Sequence, residues 1–255
     1  MSDRAPGDAQ AAVMAAALCR FTAFTPLSEA GIADLMAMAT GHREVKPGEF
    51  IVHEGDAPAG IHLLIAGWTA SSIAFANGHR QLIKVHLPGD LLGLPSIALA
   101  EAVDSIVALT EAVIAQISHM ALGQLFIRNP RLAALLFMIS QEERVMLMDR
   151  LASIGSTPAA SRLAALLLQI HARVVRARPE TQDAFDFPLL QNDVADMIGV
   201  TAVHLNRTAQ TLRAKGLLTW KRHRITIHDF PAMMRLADLP RRNLHRAPSW
   251  LPAEA

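Results

Sequence analysis

The chain has 255 residues, of which 51% are hydrophobic and 18% are charged. This composition is that of a globular protein with one large domain or two modest ones, and it excludes a largely disordered chain. The net charge of +1 is the sum of two unlike parts. Residues 1–156 carry 10 Lys and Arg against 15 Asp and Glu (10 − 15 = −5), whereas residues 157–255 carry 14 against 8 (14 − 8 = +6). We therefore expect only the second part to meet a polyanion.

The chain contains a single cysteine, Cys19. One cysteine excludes an intramolecular disulfide framework, a cysteine-based zinc site and a four-cysteine iron–sulfur cluster within one chain. No apolar run reaches the ~20 residues needed to cross a bilayer, and the mixed charges before Cys19 do not fit a signal sequence. The sequence therefore predicts a cytoplasmic protein with no membrane partner.

The first part of the chain changes its hydrophobic period near residue 40. After an N-terminal arm and short helix (1–24), Leu27–Ala39 has helical spacing with Ser28 as its N-cap. From about residue 42 to 118, short apolar runs alternate with turn signals roughly every ten residues, the spacing of a small β sandwich or barrel. Asn77-Gly78 between two such runs predicts a hairpin. Residues 25–128 are therefore predicted to form a small β sandwich or barrel domain.

A long helix follows, with Asn129 as its cap and Pro130 in its first turn, and nothing interrupts it before Gly155. Its apolar residues lie on several sides, so its own β domain can cover one side and a second copy of the helix another. We therefore expect residues 129–156 to be a dimerisation helix and hinge; the alternative is a helix buried wholly within one monomer. The expected dimer interface consists of Leu132, Leu135, Leu136, Ile139, Glu143, Met146 and Arg150.

The segment Gln191–Lys215 fits a helix-turn-helix. Ala195 supplies the small residue where the helices meet, and Gly199 supplies the left-handed turn four residues later. Asn192 and Thr201 are the expected N-caps of its two helices. Upstream, Thr157 is expected to cap a preceding helix. Four apolar residues at the expected spacing hold the corner: Val194, Ile198, Val200 and Leu205.

The second helix of this motif has a polar outer side opposite Leu205, at 100° per residue. Arg207 and Gln210 are residue types that pair bidentately with guanine and adenine, whereas Thr201 and His204 are better placed for phosphates. Residues 217–227 then alternate as a hairpin with a basic tip, the wing of a winged helix. The expected DNA-binding residues are Thr201, Ala202, Val203, His204, Asn206, Arg207, Gln210, Lys221, Arg222 and Arg224.

Residues 157–239 are thus predicted to be a winged helix-turn-helix domain that binds double-stranded DNA. A last short helix is expected from Phe230 to Leu239. Residues 240–255 are predicted to be a flexible tail.

These features resemble the Crp/Fnr family of bacterial transcription regulators over about Cys19–Leu239. The resemblance rests on the β-roll glycines, on Asn129-Pro130, and on Thr201–Arg213, which reads T-x-V-H-x-N-R-T-x-Q-x-L-R. It implies an α+β fold with an N-terminal jelly-roll domain of the cyclic-nucleotide-binding type, a long dimerisation helix and a C-terminal winged helix-turn-helix. In this family the jelly roll is a β-roll effector or sensor domain, which corresponds here to residues 25–128. The resemblance also implies a homodimer on a palindromic promoter site, with RNA polymerase as a further partner. The glycines are Gly48, Gly55, Gly67, Gly78 and Gly89.

The chain departs from the family pattern at the effector position. Where cyclic-AMP-binding members carry Gly-Glu and Arg-Ser, it has Gly93-Leu94 and Asp104-Ser105, and Leu147 and Met148 stand where they contact the nucleobase. A carboxylate in place of the phosphate-binding arginine turns attraction into repulsion, so we expect no cyclic AMP binding. The recognition helix departs too, because the family's Arg-Glu pair is Ala202-Val203 here, and Arg207 alone remains of the three usual base-reading residues.

No cofactor is predicted, and an iron–sulfur cluster is excluded by the cysteine count. Haem remains an alternative, although no candidate ligand shows a spacing typical of a haem site. The candidates are His42, His53, His62, His79, His86 and Cys19.

Two other classes of function are alternatives to a DNA-binding regulator. One is a ligand-binding regulatory module, like a cyclic-nucleotide-binding domain, whose second domain mediates protein contacts. The other is an enzyme, but the sequence has no GxSxG, HExxH or phosphate-loop motif, so no enzymatic activity is expected.

Overall fold

The computed structural model describes residues 6–238, 240 and 242–253. The first five residues of the predicted arm, Leu239 at the end of the predicted last helix, and Arg241, Glu254 and Ala255 of the tail lie outside them. Two helices open the fold, α1 (Pro6–Thr22) and α2 (Glu29–Met38). Ser28 caps α2 as predicted, since its side chain accepts a hydrogen bond from the backbone N–H of Gly31.

The β-roll consists of two four-stranded antiparallel sheets. The strands are β1 (Thr40–Val45), β2 (Phe50–Val52), β3 (Gly60–Ala66), β4 (Thr69–Ala74), β5 (Arg80–His86), β6 (Leu91–Leu92), β7 (Ser105–Ala108) and β8 (Ala112–Ser118). One sheet has the order β1-β8-β3-β6 and the other β2-β7-β4-β5. Apolar side chains of both sheets, among them Leu64, Ile106 and Ile114, form a shared core between them.

Two connections in the roll depend on glycines or turn residues in the local sequence. The predicted hairpin at Asn77-Gly78 joins β4 to β5, and the Phe75 N–H donates to the His79 carbonyl across it. Between β6 and β7 lies one 3-10 turn, Leu94–Ala98, which begins after Gly93 in the left-handed region at φ 76°. Because φ is positive there, a residue with a Cβ would be strained.

Three consecutive helices connect the roll to the second part of the chain: α3 (His119–Arg128), α4 (Pro130–Ser156) and α5 (Ala159–Ala177). Asn129 caps α4 as predicted, accepting from the Leu132 N–H at 3.0 Å. The expectation that Thr157 caps α5 is wrong. Its hydroxyl instead donates to the Ser153 carbonyl, so Thr157 completes the C-terminal turn of α4.

The second part is a winged helix-turn-helix. It contains β9 (Ala184–Asp186), α6 (Gln191–Ile198), α7 (Ala202–Ala214), β10 (Leu218–Lys221), β11 (Arg224–Ile227) and α8 (Phe230–Ala237). The hydrophobic core of this part continues into the second sheet of the roll through Ala70, Leu82, Val85 and Val107. The two parts therefore pack together rather than meeting only at the hinge.

The C-terminal segment, predicted to be flexible, makes fixed contacts in its described residues. Arg242 forms a salt bridge with Asp149 of α4, the Ala247 N–H donates to the Phe24 carbonyl, and Arg131 donates to the Pro252 carbonyl. Leu251 is buried in the core formed by α1, α2 and α4. The segment is held in place because its apolar side chains Leu244 and Leu251 pack against the hydrophobic core. Among the described residues, no helix combines the length and the apolar character needed to span a membrane.

Candidate DNA interface and effector position

The corner of the helix-turn-helix forms for the steric reasons expected from the sequence. Ala195 is buried where α6 meets α7, and Gly199 adopts φ 66° in the turn. Thr201 caps α7, because its hydroxyl accepts from the His204 N–H. Asn192, by contrast, is not the cap of α6: Leu190 holds that position, and its N–H donates to the Asp193 carboxylate at 3.0 Å.

Arg162 of α5 fixes this corner against the hinge, a role that the sequence analysis missed. Its guanidinium donates to the Ile198 carbonyl at 2.7 Å and to the Thr157 carbonyl. These carbonyls are at the ends of α6 and α4, where helices leave acceptors without partners. A single arginine therefore connects the long helix to the first helix of the DNA-binding motif.

The outer side of α7 is exposed as the helical wheel predicts. Leu205 and Leu212 are buried, whereas Val203, Arg207 and Gln210 are exposed. Three side-chain amides form a chain across this surface: Asn206 donates to Gln191, and Gln210 donates to Asn206 at 2.8 Å.

The tip of the wing lies beside this surface. Lys221 and Arg224 pair across the hairpin, with Arg222 at φ 51° in the turn between them. A cleft of about 480 Å³ separates α7 from the wing, and Asn206, Gln210 and Arg222 all line it. The structure thus brings predicted residues of the helix and of the wing to one face of the molecule.

The cations on this face differ in whether a carboxylate already neutralises them. Arg224 forms a surface ion pair with Asp186 at 3.2 Å. Within the part of the chain that the structure describes, the side chains of Arg207, Lys221 and Arg222 have no ion pair or hydrogen bond. These three charges are the ones available to an external polyanion.

A second charged region lies inside the molecule, where α1, α4, α5 and β5 meet. We call it the Asp90 cluster. It comprises Arg20, Lys84, Asp90, Glu142, Glu143, Arg173 and Arg176.

Asp90 is the centre of this cluster and is 1% exposed. Its carboxylate binds Arg20 at 3.0 Å and also Arg173, and it accepts from the Leu87 N–H at 2.9 Å. Although burial alone would raise the pKa of Asp90, Arg173 and Arg20 hold it well below its usual range. The carboxylate is therefore ionised and links the roll to α1 and α5.

The cluster corrects the predicted dimer interface. Lys84 binds Glu143 at 2.7 Å within the same chain. Leu132, Leu135 and Ile139 are almost completely buried in the apolar core that α4 forms with α1, α2 and the roll. Leu136 is also buried. The predicted stripe of α4 therefore faces its own protomer, because the roll and α1 cover it.

The exposed apolar side of α4 lies elsewhere on the helix. At 100° per residue, its centre is rotated by about 130° from the predicted stripe. Met146 and Arg150, at the end of the stripe, are half-buried beside α5. The exposed apolar residues are Phe137, Val145, Leu147, Met148, Leu151 and Ile154.

The predicted effector residues do not form one polar pocket. Gly93 begins the 3-10 turn, and Ser105 already accepts from the Glu54 N–H at 3.0 Å. Asp104 has one buried carboxylate oxygen without a hydrogen-bond partner. Met148 is exposed on α4, and Leu147 lines a small cleft with Lys84 and Arg150. An anionic ligand at Asp104 would meet a carboxylate rather than a cation.

The candidate haem ligands are dispersed. His42, His53 and His79 are exposed on the roll, whereas His86 is buried and its Nε2 lies 2.7 Å from the Ser71 hydroxyl. Burial raises the pKa of Cys19 to about 11, and its thiol lies 3.4 Å from the Pro88 carbonyl. No cluster of three or more His, Cys, Asp or Glu suited to a metal ion occurs among the described residues.

Comparisons with known proteins agree with this architecture. The family model for the cyclic nucleotide-binding domain matches residues 42–129, and the one for the Crp-like helix-turn-helix domain matches residues 161–236. The fumarate and nitrate reduction regulatory protein of Escherichia coli is 23% identical over 195 residues, covering 76% of this chain and 78% of that protein. The anaerobic regulatory protein of Haemophilus influenzae is 22% identical over 194 residues, covering 76% and 75%.

Among solved structures, FixK2 from Bradyrhizobium japonicum matches with a TM-score of 0.69 at 20% identity, covering 77% of this chain and 96% of that one. The fold, the order of the domains and both family matches agree: the chain joins a cyclic nucleotide-binding domain to a Crp-like helix-turn-helix domain, and over about three quarters of its length it is similar to transcription regulators of the Crp/Fnr family.

Proposed function

We propose that the protein regulates transcription as a homodimer that binds a palindromic DNA site without cyclic AMP. The observation that carries the proposal is the exposed outer side of α7, which presents Arg207 without an intramolecular partner next to the wing. An α-helix fits the major groove, so α7 would enter it while the wing contacts the phosphate backbone.

The side chains of this face divide into base-reading and phosphate-binding groups. Arg207 would donate to both acceptors of one guanine, and Gln210, already oriented by Asn206, would pair with an adenine. Thr201 and His204 at the start of α7 lie where helix N-termini meet phosphates. Ala202 and Val203 would contact thymine methyl groups, so the preferred sequence would differ from that of family members with Arg-Glu at these positions.

Dimerisation would use the exposed apolar side of α4. Leu151 is 74% exposed and Met148 58% exposed in the single chain, and a second α4 packed along them would remove these side chains from water. We expect Leu151→Glu to shift the protein from dimer to monomer in sedimentation equilibrium at micromolar concentration. Met120→Glu is the matched control, because Met120 is an exposed apolar residue on α3. A wild-type monomer, or a Leu151→Glu dimer of unchanged affinity, would contradict this interface.

Independence from cyclic AMP rests on Asp104 and on the two apolar residues of α4. The carboxylate would repel the cyclic phosphate, and Leu147 and Met148 offer the base no hydrogen-bonding groups. Isothermal titration calorimetry with cyclic AMP should give no measurable heat. Saturable binding at micromolar concentration would overturn this part of the proposal.

The test of DNA binding starts from a selection on random duplex DNA. The dimer should enrich a palindrome whose half-sites lie about one helical turn, ~34 Å, apart. In gel shifts at two salt concentrations, binding to that site should persist over competitor DNA and weaken with salt. If no sequence is enriched and the second part captures no DNA, the alternative of a regulatory module with protein contacts gains support. Contact with RNA polymerase stays a prediction from the family resemblance.

A further inference from the structure

A large groove runs beside the exposed side of α4, outside the β-roll. It lies between α4, α5, α8 and the C-terminal segment after residue 240, and it encloses about 1000 Å³. This volume is at the upper end of the range typical of sites for small organic ligands. The groove is far larger than the cleft of about 50 Å³ where Leu147 meets Lys84.

The walls of the groove are mainly apolar and come from α4, α5, α8, the C-terminal segment and the loop between α1 and α2. The C-terminal segment forms one wall, held in place by the Arg242–Asp149 ion pair and by the hydrogen bond from Ala247 to Phe24. The apolar residues that line the groove include Phe24, Met138, Val145, Leu168, Met234 and Trp250. Such a surface favours a ligand with a long apolar body.

The charged groups of the groove favour an anionic group on that ligand. Glu142 is already neutralised by Arg20 and Arg176, and Asp149 by Arg242. Only Asp238 is an anion of the groove without a cation partner within the described part of the chain. A cationic ligand would therefore find a single free carboxylate.

Guanidinium groups, by contrast, are available at three positions. Arg176 is 26% exposed and uses one nitrogen for Glu142, and Arg242 is 59% exposed and keeps one terminal nitrogen outside its pair with Asp149. Arg235 of α8 is exposed and has no ion pair among the described residues. Guanidinium groups bind carboxylates with strong, charge-assisted hydrogen bonds.

We propose that this groove is a binding site for an organic acid with a long apolar body, such as a fatty carboxylate. The apolar body lies along α4 and α5, and the carboxylate is bound by Arg235 together with the free edges of Arg176 and Arg242. The site is separate from the position of Asp104 in the roll, and it is built partly from the C-terminal segment.

The groove shares residues with the Asp90 cluster. Arg173, Arg176 and Glu142 belong to both, so a ligand would touch the ion pairs that hold α5 against the rest of the chain. An effect of the ligand on DNA affinity rests on the proposed function, whereas binding itself does not. The test therefore measures binding without DNA.

The test is isothermal titration calorimetry of the full chain with dodecanoate, dodecanol and dodecyltrimethylammonium, each below its aggregation limit. We expect dodecanoate to bind once per protomer and at least about tenfold more tightly than the ammonium compound, with the alcohol in between. Equal affinity for all three would overturn the proposed carboxylate site.

Two variants place the site within the molecule. Ala172→Trp puts a large side chain at an exposed position of the groove and should abolish binding of all three probes, whereas Ala57→Trp, at an exposed position in the roll, should leave binding unchanged. Arg235→Gln should weaken dodecanoate about tenfold and leave dodecanol unaffected. Wild-type affinity of Ala172→Trp for dodecanoate would overturn the location.

Discussion

The molecule holds charge in two contrasting regions, the Asp90 cluster and the outer face of α7 with the wing. In the cluster, four cations and three carboxylates are largely buried and paired with one another across α1, α4, α5 and β5. On the outer face, Arg207, Lys221 and Arg222 are exposed and have no partner among the described residues. The same residue types thus serve opposite purposes. Buried pairs fix the position of elements, and unpaired surface cations are left for a polyanion.

Among single substitutions, we expect the largest effect for one at Asp90, in the buried cluster. Asp90→Asn removes the charge that neutralises Arg20 and Arg173, so it should lower the free energy of unfolding by about 3–5 kcal/mol. Urea denaturation measures this loss. The matched control is Asp186→Asn, which breaks the exposed pair with Arg224 and should cost less than about 1 kcal/mol. If the two variants lost similar amounts of unfolding free energy, burial would not explain a difference between the cluster and the surface pair.

The second-largest effect is expected on DNA binding by α7, with the free energy of unfolding unchanged. Arg207→Ala should weaken binding to the selected site by about 1–3 kcal/mol and relax the preference at one base position. Fluorescence anisotropy with single-base variants of the site measures both. Arg80→Ala, an exposed arginine of the roll, should change neither. A uniform loss on all sequences would mean that Arg207 binds phosphate instead.

Acidification should destabilise the buried region through His86. Burial and the nearby Lys84 lower the pKa of His86 well below its ordinary value of 6.5, although Asp90 acts in the opposite sense. The unfolded chain therefore binds more protons at this ring than the folded chain does, and the free energy of unfolding falls as the pH drops through about 6.5, by less than about 1.4 kcal/mol per pH unit. Urea denaturation at pH 6 and 7 should show a smaller difference for His86→Gln than for the wild type. His79→Gln, at an exposed position, is the control and should retain the wild-type difference in unfolding free energy between pH 6 and 7. The same wild-type difference in His86→Gln would contradict the prediction, because it would mean that the ring is charged in the folded state.

The smallest effect is expected at the wing. If Lys221 contacts one phosphate as proposed, Lys221→Ala should weaken binding to all DNA sequences about threefold and reduce the salt slope by about 0.9. Anisotropy titrations between low and moderate salt measure the slope, with Lys46→Ala in the roll as the control. A changed base preference would contradict the assignment of the wing to the backbone.

The sequence predicted the helix-turn-helix because most of its determinants are local. Gly199, Ala195 and the cap at Thr201 act within a few residues of one another, so their spacing alone defines the helix-turn-helix. The hairpin at Asn77-Gly78 is predictable for the same reason.

The buried cluster could not be predicted because its members are distant in sequence. Arg20 and Glu143 are 123 residues apart, and Asp90 and Arg173 are 83 apart. Periodicity shows that α4 is apolar on several sides, but it does not show which side the roll covers. Leu135 and Ile139 were therefore predicted to pack against a second copy of α4, whereas they are buried within their own chain. The role of Glu143 depends on Lys84 in another element, which no helical wheel reveals.

The most direct test compares the affinities of the wild type and of Arg207→Ala for the selected palindrome and for competitor DNA, at one salt concentration. We expect the wild-type dimer to bind the selected palindrome more tightly than competitor DNA. We also expect Arg207→Ala to lose about 1–3 kcal/mol of binding free energy at the palindrome, with little change in its binding to competitor DNA. Equal binding of the wild type to selected and random DNA would contradict the proposal that α7 reads sequence.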